Sequence, residues 1–177
     1  GAWEKFKIDI KEYPCNTVVA LRALANKDKF YLVAEGGNGK IRADRTSIGD
    51  WEQFRIVKTK CDGYLKPGDT VNIVTSAGTF VSAEGGGGKE LRGNRDRAGD
   101  WEKFTIVNAD PKYPPGKLGL VVALKTANGK FVSAMGGGGG EVLAQGAKIG
   151  DWEKLVMLPQ IVAATSGRAM QFGSGKG

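Results

Sequence analysis

At 177 residues, with 41% hydrophobic and 25% charged side chains, the chain sits at the globular average, which excludes a disordered or fibrous polymer and allows one domain with its own core. It has no histidine and only 2 cysteines, so neither a histidine-based nucleophile system nor a structural zinc site can be assembled from it. The 26 basic and 19 acidic residues leave a net charge of +7, but the basic side chains are scattered rather than blocked, which favours a solvated surface over a nucleic-acid-binding one.

In chain order, the first predicted element is a strand over residues 3–8, opened by Gly1-Ala2-Trp3-Glu4-Lys5-Phe6. The Gly-x-Trp-Glu-x-Phe pattern returns at 49–54 and 99–104 and, with Leu in place of Phe, at 150–155. Between these starts the order of elements is constant. A branched apolar strand (18–22, 71–75, 121–125) is followed by a short turn and a second strand (31–35, 80–84, 131–135). A glycine cluster and a last short strand (40–43, 90–93, 142–144) then lead to the next Trp. The glycine runs 85–88 and 136–140 mark tight turns. They lack the Lys-Ser/Thr and following helix of a phosphate-binding loop.

Three such units of four short strands predict an all-β fold, a β-trefoil of tandem four-stranded repeats with pseudo-threefold symmetry, closed so that no sheet edge is left free. A propeller would need more blades. The expected trefoil spans 18–158, with repeats 18–57, 58–107 and 108–158, flanked by an extra N-terminal strand or arm over 1–17 and a C-terminal tail over 159–177. The strand at 3–8 duplicates the one starting at Trp152, and the tail faintly echoes the branched strand again, which points to a strand-swapped or tandem assembly.

Cys15 and Cys61 fall in equivalent connections of successive repeats. Threefold-related loops normally lie further apart than the roughly 7 Å that a disulfide spans, so two free thiols are expected. No stretch is long enough for membrane insertion, and the opening residues lack signal-peptide grammar. The chain therefore reads as soluble, its compartment open and secretion after removal of a leader allowed.

Side chains alternate along a strand, so Phe104 and Ile106 share one face while Trp101 falls with Lys103 and Thr105 on the other. The strand starting at Trp51 has the same parity. Two readings of the recurring Trp stand side by side: a core plug repeated once per unit, or an indole platform at the foot of a glycine turn with a Glu acceptor at its edge. A β-bulge at the Trp-Glu step would return the ring to the core.

The segments Val-Ser-Ala-Glu-Gly-Gly-Gly-Gly (81–88), Asn94-Arg95 and Gly99-Asp100-Trp101-Glu102-Lys103-Phe104 resemble fascin-like β-trefoil domains, and within them the glucanase-associated carbohydrate-binding module family 92. The resemblance covers nearly the whole chain. It implies binding of β-1,3- and β-1,6-linked glucans at up to three sites, each with a Trp and a nearby Glu. The first would use Glu35, Arg45, Trp51 and Glu52, and the second Glu84, Arg95, Trp101 and Glu102. The third keeps Trp152 and Glu153, but Met135 and Gly146 replace the Glu and Arg, which implies a weaker or differently specific site. Alternatively, Arg45 and Arg95 simply pair with Glu35 and Glu84 to brace the turns.

The acidic residues recur as repeat elements rather than as one differently tuned pair, which argues against a glycosidase and for multivalent binding without catalytic residues, metal or cofactor. The expected partner is a polysaccharide or glycan, β-glucan foremost. The alternative is a fascin-like protein that binds and cross-links actin filaments, and a third reading is an assembly scaffold without a small ligand.

Overall fold

The computed structural model describes residues 12–160 apart from Pro115. Three runs of branched residues, each bounded by turn formers, give the first strand of each repeat: β1 (Asn16–Ala23), β5 (Thr70–Val74) and β9 (Val121–Lys125). The second and third strands form hairpins: β2 (Phe30–Ala34) with β3 (Ile41–Arg45), β6 (Phe80–Ala83) with β7 (Leu91–Arg95), and β10 (Phe131–Ala134) with β11 (Gly140–Gly146). The fourth are β4 (Gln53–Lys58), β8 (Phe104–Asn108) and β12 (Leu155–Pro159).

The pairings close a ring. β1 pairs with β4, β4 with β5, β5 with β8, β8 with β9, β9 with β12, and β12 returns to β1, all antiparallel. The three hairpins meet across the ring: β11 pairs with β3, and isolated bridges join Lys40 to Arg92 and Glu90 to Leu143. A six-stranded barrel capped by a triplet of hairpins is a β-trefoil, as the repeat count predicts.

Alternation supplies the core. Phe54 and Ile56, Phe104 and Ile106, and Leu155 and Met157 all point inward and are almost wholly buried, each contributing on the order of 2 kcal/mol. The free space among Leu21, Phe54, Ile73 and Leu124 is about 10 Å³, too little for one water molecule. No ligand fits inside this barrel, so any binding site lies on its outside.

One expectation changes at the N-terminal side. Cys15 and Cys61 form a disulfide, with Cα atoms 5.4 Å apart, and are not free thiols. Cys15 precedes β1 and Cys61 follows β4, and these strands are antiparallel neighbours with Asn16 opposite Val57. The start of one therefore lies beside the end of the other, where Cys15 N–H donates to Gly63 O (3.0 Å) and Lys58 N–H to Cys15 O (2.8 Å). Loop equivalence in the repeat misjudged a contact that strand pairing dictates. Residues 13–15, grouped above with the arm, are also tied to the barrel: Tyr13 is fully buried and its hydroxyl donates to Met157 O (2.8 Å). The strand expected at 3–8 and the tail beyond 160 lie outside the described residues.

Candidate functional site

The fourth strands begin after the tryptophans rather than at them. Asp50–Glu52, Asp100–Glu102 and Asp151–Glu153 each form one turn of 3-10 helix before β4, β8 and β12. The Glu of each turn folds underneath. Glu52 Oε1 accepts the Gly49 N–H at 2.6 Å, Glu102 Oε1 the Gly99 N–H at 2.6 Å and Glu153 Oε1 the Gly150 N–H at 2.8 Å, and the three residues are only 7, 6 and 8% exposed. With its Glu pulled inward, each turn pushes the intervening indole out. Trp51, Trp101 and Trp152 are 45, 45 and 44% exposed.

The core-plug reading of these rings is thereby excluded, although the reason differs from simple strand parity. The alternation that turns Trp101 outward also places Glu102 on the side of Phe104. The hydrogen bond that each carboxylate accepts from a backbone amide braces the Trp turn.

The second wall of each site is the glycine turn after the hairpin's first strand. Glu35–Gly37, Glu84–Gly86 and Met135–Gly137 form these turns, and each packs on the Trp turn of its own repeat. Gly37 (φ +94°) and Gly86 (φ +85°) adopt a left-handed conformation, and a Cβ on them would lie 3.5 Å from the Nε1 atoms of Trp51 and Trp101. Only glycine gives both this backbone and a flat seat for the pyrrole edge of the ring.

The remaining site residues fall where the repeat places them. Arg45 Nη2 pairs with Glu35 Oε2, and Arg95 Nη2 contacts both Glu84 carboxylate oxygens at 2.7 Å. These pairs brace the glycine turns. They are also about one-third exposed on their arginine side, 34% for Arg45 and 32% for Arg95, so part of each pair faces solvent. In the third repeat no such pair exists: Gln145 Nε2 approaches Met135 Sδ at 3.5 Å.

Sequence reasoning missed a third wall contributed by the next repeat. The β9–β10 turn reaches the second glycine turn, with Asn128 N–H donating to Gly86 O (3.1 Å) and Asn128 Nδ2 to Gly87 O (3.0 Å). The β1–β2 turn reaches the third in the same way, Asn26 Nδ2 donating to Gly138 O (3.3 Å). The Asn-Gly pair at 128–129 signals a hairpin turn, but nothing local says which repeat that turn will touch.

Concavity and chemistry do not coincide. A groove of about 590 Å³ lies at the opposite end of β8 from Trp101, lined by Pro67, Asp110, Tyr113, Lys117 and Lys154. It occurs once. Smaller grooves of about 300 and 410 Å³ occupy equivalent places beside Gln53 and Thr75 and beside Lys103 and Thr126, the latter starting at Asp100 of a Trp turn. The repeated surface is therefore the better candidate. Among the described residues no group of acidic, His or Cys side chains could hold a metal ion, and no helix is long and apolar enough to cross a membrane.

Comparison with solved structures gives the same architecture. The designed threefold-symmetric protein ThreeFoil superposes with a TM-score of 0.63 at 17% identity, over 80% of this chain and 97% of that one. The SDF2-like protein of Arabidopsis thaliana gives 0.64 at 9% identity, over 82% and 94% of the two chains. The Polyporus squamosus lectin, solved with a Neu5Ac-Gal-GlcNAc epitope, gives 0.61 at 17% identity, over 82% of this chain and 49% of that one. The fold is a β-trefoil. No protein-family profile matches the sequence, and no curated protein matches it. At such identities the likeness extends to the fold alone.

Proposed function

We propose that this trefoil is a non-catalytic, multivalent carbohydrate-binding module with one Trp site per repeat, and that its ligand at the Trp51 and Trp101 sites is a β-glucan. The observation that carries the reading is the threefold repetition of an outward indole, half exposed, on a turn that packs against a glycine turn and is braced from below by a buried Glu. An exposed large aromatic ring costs solubility and is kept where its apolar face has a partner. A pyranose presents such a face, and the outer edges of the Glu35–Arg45 and Glu84–Arg95 pairs offer acceptors and donors for its ring hydroxyls.

Each site is shallow, so single-site affinity is modest and retention comes from a polymer engaging two or three sites at once. A chain crossing Trp101 can continue into the groove bounded by Asp100, Lys103 and Thr105. In this reading Glu52, Glu102 and Glu153 position the indoles and do not touch the sugar. That the lectin sharing this fold was solved with a sialylated glycan agrees with a glycan ligand, and the fascin-like and module-family resemblance favours glucan. The Cys15–Cys61 disulfide favours an oxidising compartment, and hence secretion.

The competing partner, an acidic filament, would be held by the charge of +7. Retention on insoluble β-1,3-glucan and co-sedimentation with filamentous actin, each at low salt and at about 1 M salt, separate the two, because the Debye length falls to roughly 3 Å. Glucan retention that survives high salt and is lost in Trp51→Ala/Trp101→Ala supports the module. Retention no better than that of an inert protein, or filament binding abolished by salt, overturns it.

A further inference from the structure

The third site differs from the other two in chemistry, not merely in strength. Where Glu35–Arg45 and Glu84–Arg95 present charged edges, it presents the half-buried thioether of Met135 and the exposed amide of Gln145. Gly146 stands where Arg45 and Arg95 occur, and the Glu153 side chain leans over it: a Cβ at 146 would lie 2.8 Å from Glu153 Cγ. The place of the arginine stem is thus closed.

The facing turn from the first repeat is also rebuilt. Between the paired residues Arg22 and Tyr31 it runs three residues longer than its counterparts between Val74 and Phe80 and between Lys125 and Phe131. Asn26, Lys27 and Asp28 all lie in the left-handed region, at φ of 55°, 67° and 55°. Three successive non-glycine residues in that conformation persist only when their surroundings hold them. Here Arg22 clasps Asp28 through two hydrogen bonds of 2.7 and 3.0 Å, and Asn26 docks on Gly138 O. Ala25 comes against Gly137, where a Cβ would lie 3.1 Å from the Ala25 Cβ.

Building on the carbohydrate reading above, we propose that this third site takes an N-acetylated hexosamine rather than a plain glucose unit. An acetamido group asks for an apolar contact for its methyl and a donor for its carbonyl. Met135 supplies the first beside the Trp152 turn, and Gln145 Nε2, exposed and bonded only weakly to sulfur, supplies the second. A glucose hydroxyl in the same position would face sulfur, a poor partner, and would lose its water without recompense. The charged pairs of the first two sites impose the reverse preference, since a methyl there would lie on an ion pair.

The test compares triacetylchitotriose with laminaritriose by titration calorimetry. Trp51→Ala/Trp101→Ala, which keeps only the third site, should prefer the acetylated sugar by roughly tenfold or more, the scale on which pockets sort single groups. Trp152→Ala should keep laminaritriose and lose triacetylchitotriose, and Met135→Glu should erase the acetamido preference. Saturation-transfer NMR on the unaltered protein adds a readout without substitution, in which the acetamido methyl should receive the strongest transfer. The proposal is overturned if the double variant binds both sugars alike, prefers laminaritriose, or binds neither while Trp152→Ala still binds laminaritriose. Should no variant and not the parent bind either sugar, the carbohydrate reading itself falls.

Discussion

The two ends of the outer strands are built on different plans. At the Trp end the three repeats share one Trp-Glu turn: the Glu braces span 2.6, 2.6 and 2.8 Å and the indoles are 45, 45 and 44% exposed. At the connection end the two described connections close differently. The first connection uses the Cys15–Cys61 disulfide and the buried Tyr13, whereas the second uses Asn108, whose Oδ1 accepts Gly119 N–H at 3.0 Å, and the ring of Tyr113 against Gly119. Closing a barrel can be done by many packings. Presenting the same ring three times demands the same turn, which is why the sameness is informative about function and the variety about stability.

Removing the staple should separate the two ends most visibly. Cys15→Ser/Cys61→Ser frees a loop with a sequence separation of 46 and should lower unfolding free energy by about 4 kcal/mol in denaturant titration. Glycan retention per folded molecule should not change. If retention fell with stability left intact, the two ends would not be independent.

A smaller effect is expected beneath the rings. Glu102→Ala leaves the Gly99 N–H without its partner and should cost about 1–3 kcal/mol, with weakened binding at the second site. Glu102→Gln, whose amide oxygen can still accept, should recover most of both. A carboxylate that touches sugar would instead show lost affinity at full stability.

Tyr13→Phe should cost about 1 kcal/mol through the lost bond to Met157 O. It should also change the alkaline limb of stability. Burial, aided by Tyr113 and Asp110, raises the Tyr13 phenol above its ordinary value. The unfolded chain therefore ionises first, and stability present below about pH 10 is lost as pH rises further. The variant should lack that decline, read from melting temperature against pH.

The least change in stability is expected where the functional change is greatest. Trp101→Ala removes an exposed ring and should stay within about 0.5 kcal/mol of the parent. Cooperative loss of several kcal/mol would return the indole to a structural role.

Much of this architecture was legible because repetition is visible without geometry. Gly-x-Trp-Glu recurring at nearly equal intervals announced three units, and the branched strands announced their order. The outward indole was half legible, because parity turned it out but equally turned Glu102 in, and only the 3-10 turn reconciles the two. The Cys15–Cys61 bond was hidden by reasoning from loop equivalence, since the pairing of β1 with β4 that joins them is a non-local fact. Asn26 and Asn128 were illegible for the same reason, as each serves a turn more than 40 residues away, Asn128 by 41 and Asn26 by 112.

The most direct test follows the three indole N–H resonances of Trp51, Trp101 and Trp152, assigned by single Trp→Phe variants, as laminaritriose is added to the full chain. Saturable shifts at Trp51 and Trp101, with the amides of the buried core unmoved, are the predicted result. Indole signals that stay fixed while sugar binds elsewhere, or while no binding occurs, would contradict it.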